Sequence, residues 1–406
     1  MQDFSKEQIA LLRLTSASVL GNAFTDETVL DGVDFEKLQD EALAQTVHLS
    51  VFESLSPYKG RMAEETYRKW LKRASRAVQG NLALCRAQND LARLLEKEGI
   101  PYAVIKGTSA AAYYPKPDLR ALGDVDFLVL PEDLPRATAA LEQAGYRKGE
   151  DGHDCHVLFR FNGVRFEMHF ETSGIPYGET GEIIRTFLQD TPLQAIPRDG
   201  GMVPDPVRHG LILLLHMQHH MLGEGLGLRH LCDWACFVAG AEQDELWQET
   251  LLPFLQEIGL YRYAQVMTKT CHNYLNIPCP VWAQSVENEV CREVMWDVLQ
   301  GGNFGNKDEI RSKSGMLVSR HGKNGTRDGA GKNLFSVLHT SVLKKHPVVK
   351  KFPPLYPFFF VWRGIRYATL MLFGKRKSVV KMLPEAQKRR SVYEKLHIFE
   401  RENSKE

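Results

Sequence analysis

Asp124 and Asp126 stand one residue apart at the head of an apolar run, Gly123-Asp124-Val125-Asp126-Phe127-Leu128-Val129. In a strand alternate side chains share a face, so both carboxylates point the same way. Two such groups at a strand end repel each other unless a cation sits between them, and hard oxygen ligands of this kind suit magnesium or manganese. The chemistry that such a pair serves is metal-assisted work on phosphate.

Three neighbouring stretches must position that pair. Tyr102-Ala103-Val104-Ile105 reads as a strand that breaks at Lys106-Gly107 into Thr108-Ser109 and a helix-like run over 110–114. A strand, a glycine turn and a helix start together offer backbone N–H groups and a positive dipole end to a phosphate, with Lys106 as an added cation. Residues 134–144 read as a helix closed by Gly145. The alternating runs 155–161 and 164–171 then flank Asn162-Gly163, a strong hairpin signal. Alternation sets Glu167, His169 and Glu171 on one face, opposite Phe166, Met168 and Phe170. If that strand lies beside the one that follows Asp124, Glu167 becomes a third carboxylate at the metal pair. Arg120, in the Pro- and Asp-containing loop before the pair, suits a bidentate contact with a phosphate, against the plainer role of locking Asp118. His169 is placed to hold a phosphate or orient the third acid, against the plainer role of a hydrogen-bonded, half-buried histidine.

Lys106-Gly107, Tyr114-Pro115, Arg120, the Gly-Asp-x-Asp-x-Leu-Val of 123–129, Gly145-Tyr146 and the Glu-x-His-aromatic of 167–170 follow one another in one order. Together they resemble the bacterial family of uncharacterised nucleotidyltransferases, NTP-transferase family 5, within the polymerase-beta-like superfamily. The resemblance extends to 213–220, to Gly227-Leu228-Arg229-His230-Leu231-Cys232-Asp233, to Gly301-Gly302-Asn303-Phe304-Gly305 and to 356–363. It implies a metal-dependent transfer of a nucleoside monophosphate from an NTP to a hydroxyl or phosphate acceptor, with release of pyrophosphate. Magnesium or manganese would be held by Asp124, Asp126 and Glu167, and the nucleotide by Lys106, Gly107, Thr108, Ser109, Arg120 and His169. The acceptor stays open among a small molecule, a protein and an RNA. Two departures from the wider superfamily, Lys106-Gly107-Thr108-Ser109 at the glycine turn and a glutamate as third acid, keep an alternative alive: a catalytically inactive nucleotide-binding or scaffold protein of the same fold.

The expected fold class is α+β, a small mixed sheet of nucleotidyltransferase type carrying the Asp-x-Asp strand, flanked by helical regions on both sides. The divisions expected are an N-terminal helical region (1–98), the nucleotidyltransferase core (99–175), a second helical region (176–300) and a basic, glycine-rich loop with a C-terminal extension (301–406). Over 406 residues, 51 Lys and Arg nearly cancel 50 Asp and Glu, so global charge demands no nucleic acid or acidic membrane as partner. Seven cysteines without a C-x-x-C pair point to a reducing compartment, and residues 1–6 lack a signal-peptide pattern, so a cytoplasmic location is expected. The stretch 355–373 is interrupted by Arg363, Gly364 and Arg366, which argues against integral membrane insertion. His209, His216, His219, His220 and His230 crowd one region without the spacing of a structural zinc site and read as packing and hydrogen-bonding residues. The run 325–333 departs from a phosphate-binding P-loop in glycine register and in its Asn333, and reads as a linker.

Overall fold

Val125, Phe127 and Val129 face one side of their strand while Asp126 and Leu128 face the other, and this alternation sorts the molecule into two cores. The computed structural model describes residues 3–149, 155–240, 245–308, 339, 342, 346, 348–372 and 379–400. The run 325–333 lies outside the described residues.

The sheet contains β1 (Tyr102–Val104), β2 (Val125–Val129), β3 (Arg147–Lys148), β4 (His156–Phe161) and β5 (Val164–His169), in the order β1-β2-β5-β4-β3. Its strands run antiparallel to their neighbours except β2 and β5, which are parallel. The expected hairpin is β4–β5: Asn162 and Gly163 both take positive φ (47° and 79°), the conformation that a two-residue turn between twisted strands requires. The strand that starts at Val164 ends at His169, so Glu171 falls beyond it and pairs with Arg185.

Before the sheet come α1 (Lys6–Val19), α2 (Phe35–Ala44), α3 (His48–Leu55) and the long α4 (Glu64–Lys97). Ser5 opens α1 with a capping box through Gln8, and Asp34 caps α2, so each start satisfies otherwise orphaned N–H groups. Within the sheet region lie the one-turn α5 (Thr108–Ala111) and α6 (Leu134–Gln143); after it come α7 (Glu179–Leu188), α8 (Pro206–Leu222), α9 (Leu228–Gly240), α10 (Leu252–Glu257), α11 (Tyr261–Leu275) and α12 (Asn288–Gly301). Asp205 caps α8 and Pro206 takes its first position, where a missing N–H costs nothing.

One face of the sheet, with Tyr102, Val104, Val125, Phe127, Val129, Phe166 and Met168, packs on α4 and α6 through Leu84, Leu91, Leu95, Ala137 and Leu141. The opposite face places Ala103, Ile105 and Leu128 in a larger core shared by α1, α3, α8, α9, α11 and α12. The helices that precede the sheet and those that follow it therefore bury into one another: Ser16 of α1 donates to Leu275 O at 2.9 Å, and Gln45 to Val298 O at 2.9 Å. A two-stranded ribbon, Ile196–Arg198 with Gly201–Val203, escapes notice in the sequence because each strand is three residues long. It lies against β1, where the Tyr102 hydroxyl accepts from Met202 N. Among the described residues no helix is long and apolar enough to cross a membrane.

Candidate active site

Asp126 shares the face of Leu128, so it points toward the helical core and not toward α4 and α6. The parallel register sets Asp126 opposite Glu167 and Leu128 opposite His169, so the two strands bring their polar side chains to one patch. Asp124 lies one residue ahead of β2 on the same side. Sequence reasoning thus reaches the patch through the Asn-Gly hairpin, whose second strand becomes the parallel neighbour of β2.

Three acids and three basic groups interlock there. Lys106 Nζ stands 2.6 Å from Asp126 Oδ1, and His169 Nε2 lies 3.0 Å from the same oxygen and 3.6 Å from Glu167. Arg165 bridges Asp124 at 2.6 Å and Glu167 at 2.9 Å. Burial disfavours the Asp126 charge, yet Lys106 and His169 more than offset it and hold the carboxyl far below its ordinary range. Burial and the neighbouring Asp126 and Glu167 charges push Asp124 up despite Arg165. Burial and Lys106 oppose a charge on His169, but hydrogen bonding to Asp126, Cys155 and Glu167 prevails and raises it to about 10. His169 is therefore a cation at neutral pH, a donor that aligns two carboxylates, and not a base. Glu167 is held low: burial resists its charge, and the hydrogen bond to His169 together with the Lys106 and His156 charges outweighs that resistance.

The turn after β1 is built against the acids. Gly107 takes φ 60° and ψ −111°, and a Cβ there would stand 3.5 Å from Asp124 O. Glycine thus lets the chain turn at the Asp-bearing segment. The two hydroxyls beyond it are engaged: Thr108 donates to Gln88 Oε1 at 2.6 Å, and Ser109 to Lys106 O at 3.1 Å.

Arg120 is placed elsewhere. Its Nε and one terminal nitrogen donate to the two oxygens of Asp233 on α9 at 2.8 and 2.7 Å, and Tyr114 Oη donates to Asp233 at 2.7 Å. This buried bidentate clamp ties the loop before β2 to the helical core, and the guanidinium expected on a phosphate is spent on it. The sequence holds both partners but gives no sign that residues 113 positions apart would meet.

Asp126, Glu167 and His169 bring their ligand atoms within 4.8 Å of one another. Asp126 and Glu167 supply hard oxygens there, with Asp124 tied to Glu167 through Arg165, and such donors fit a hard divalent cation. Sequence reasoning also passed over Cys155, whose thiol, despite burial, is lowered to about 6 by hydrogen bonding to His156, His169 and Ser173. The adjacent His156 is the one signal the sequence carries for it, and His169 and Ser173 join from across the hairpin and beyond it.

No curated protein and no solved structure matches the chain. The family model described as an uncharacterised nucleotidyltransferase matches residues 31–276, more than half of the chain and all of the site. The protein belongs to that nucleotidyltransferase family.

Proposed function

We propose that the protein is a metal-dependent enzyme that moves a nucleoside monophosphate from an NTP to a hydroxyl or phosphate acceptor and releases pyrophosphate. The observation that carries this reading is the pairing of Asp126 with Glu167 across two hydrogen-bonded parallel strands, with Asp124 tied to Glu167 through Arg165, beside a glycine turn and a lysine. Family membership supports nucleotidyl transfer in general and an NTP as substrate.

Asp124, Asp126 and Glu167 would hold magnesium or manganese. When bound, the divalent ion supplies charge neutralisation of the triphosphate and acidity at the attacking oxygen. His169 keeps Asp126 and Glu167 ionised and fixed in orientation. Lys106, together with the backbone N–H groups of Gly107 and Thr108, steadies the departing pyrophosphate through charge and amide hydrogen bonds, while Ser109 N donates to Lys106 O and closes the turn. Arg120 contributes by anchoring the segment that carries the acids. A carboxyl held low is a weak base, so Glu167 serves as ligand ahead of proton acceptor.

The alternative, a nucleotide-binding protein without turnover, draws on one observation: Lys106 and Arg165 lie directly on the oxygens that would hold a metal. The test is transfer of α-phosphate label from each NTP into a cell-extract acceptor pool, with magnesium, by wild type and by Asp124→Asn/Asp126→Asn protein. Label moved by wild type alone supports the enzyme. Metal-dependent NTP binding without transfer supports the alternative.

A further inference from the structure

Across from the acids, the helical wall carries a second polar cluster. His216 and His220, one turn apart on α8, meet His230 of α9 with ring centroids 4.4, 5.3 and 5.2 Å apart. Arg229 precedes His230, and its guanidinium lies over the Phe304 ring, 5.6 Å from the centroid. Phe304 also packs on His220 and His230 at 4.7 and 5.6 Å. His216, His220 and Arg229 are half-buried and Phe304 is exposed, so solvent reaches the cluster.

The cluster faces the carboxylates. The sheet face that bears Asp126 packs on the core containing α8 and α9, and Gln218 of α8 donates to Gly174 O in the segment leaving β5. Lys106 is among the charges that act on His216, His220 and His230, and Asp124 among those that act on Arg229.

What the cluster lacks, among the described residues, is an acceptor. Asp233, one turn after Arg229, already gives both its oxygens to Arg120 and Tyr114. Arg229 Nε is buried without a hydrogen-bond partner among the described residues, and burial together with Arg120 pushes its pKa down, the mark of a cation short of a counter-charge. His230 Nδ1 accepts from Gly227 N at 3.3 Å, so the neutral ring carries its proton on Nε2. That Nε2 is buried on a residue only 2% exposed and has no partner. His216 Nδ1 is buried and unpartnered as well. A guanidinium and imidazole donors with nothing to donate to ask for a polyvalent oxyanion.

We propose that Arg229, His216, His220 and His230 form an oxyanion site that takes a phosphate group on the helical wall opposite Asp124 and Asp126. Its use in catalysis rests on the nucleotidyltransferase reading, whereas its ability to bind phosphate does not. The phosphate belongs either to the nucleotide's triphosphate or to the acceptor. The three rings also come close enough to share a metal ion. Against that stand the neighbouring Arg229 charge and the His230 tautomer. A metal-bound histidine gives its other N–H to an acceptor, whereas His230 Nδ1 faces a donor.

Calorimetric titration with inorganic phosphate and with inorganic triphosphate, in the absence of divalent metal, tests the site. Wild type should bind, Arg229→Gln should bind roughly tenfold or more weakly, and Arg229→Lys should fall between. Melting curves establish that each variant is folded, and Arg229→Lys carries the test if the glutamine variant is not. ATP that displaces phosphate assigns the group to the nucleotide, and ATP bound together with phosphate assigns it to the acceptor. Unchanged affinity in folded Arg229→Gln overturns the proposal, as does stoichiometric zinc uptake that His220→Ala abolishes. Loss of the transferase reading, with phosphate binding intact, leaves the oxyanion site standing.

Discussion

Two buried aspartates, Asp126 on β2 and Asp233 on α9, each hold a basic side chain at close range, yet they do different work. Asp233 is balanced: one carboxylate meets one guanidinium in bidentate fashion and one tyrosine hydroxyl, and both oxygens are satisfied. Asp126 sits in a crowd, with Asp124 and Glu167 beside it and Lys106, His169 and Arg165 threaded between them. A balanced buried pair is a fastening, because removing either member strands the other. A crowd of like charges held apart by movable cations is poised to exchange those cations for another. Buried acids with basic partners are thus sorted by how many acids share the space.

The sharpest way to break this contrast is to neutralise each aspartate in turn. Asp126→Asn keeps the shape of the side chain and should lower transfer by roughly a thousandfold or more, since metal-centred stabilisation of several kcal/mol depends on that carboxylate. Label transfer from NTP measures the loss. The same variant should drop the His169 pKa from about 10, because the bond to Asp126 heads the contributions that raise it, and imidazole NMR shifts against pH report the drop. Retained transfer in Asp126→Asn would remove Asp126 from the chemistry. Asp233→Ala should behave oppositely and destabilise the fold by about 3–5 kcal/mol by leaving Arg120 buried and unpaired. Urea unfolding midpoints measure that cost. A small shift would mean that Arg120 finds another partner or water.

The contrast was half legible in the sequence. Asp124, Asp126 and Glu167 could be brought together on paper because strand alternation and the Asn162-Gly163 turn are local rules, and the one long-range step, β5 beside β2, came with the family resemblance. The helical character of the N-terminal region is legible for the same reason, its apolar spacing being written in consecutive residues. For Arg120 the sequence suggests a phosphate, because a loop arginine beside two acids announces its charge but not its partner, and Asp233 lies far along the chain. No sequence rule says that side chains at 216, 220 and 230 converge, nor that Asp233 is already committed. Pairings between distant elements are set by tertiary packing, and a single sequence does not display them.

Protonation offers a finer test, because the two walls hold histidines in opposite states. His169 has a folded-state pKa of about 10, above its unfolded value, so its contribution to stability is complete below the unfolded pKa and disappears as pH rises toward 10. His209, packed against Tyr113 and Ser109, is pushed down to about 4, chiefly by burial. Neutral in the folded protein, it contributes stability above its unfolded pKa that is lost as pH falls toward 4. Unfolding free energy measured across that range should therefore flatten on the alkaline side in His169→Gln and on the acid side in His209→Gln. A reversal of the two flanks would mean that the rings do not sit in these environments.

The smallest effect tells how tightly the fastening is made. Tyr114→Phe removes one donor from Asp233 and leaves both Arg120 contacts in place. If the three groups act independently, the cost is that of one hydrogen bond to a charged group, about 1.5–3 kcal/mol and less than Asp233→Ala. Chemical unfolding of the two single variants and the double variant closes a cycle on this point. Once Asp233 is gone, the Tyr114 hydroxyl has lost its acceptor, so adding Tyr114→Phe should cost almost nothing more. A double variant as unstable as the sum of the singles would show that the hydroxyl draws its stabilisation from some other group, and that Asp233 is held by Arg120 alone.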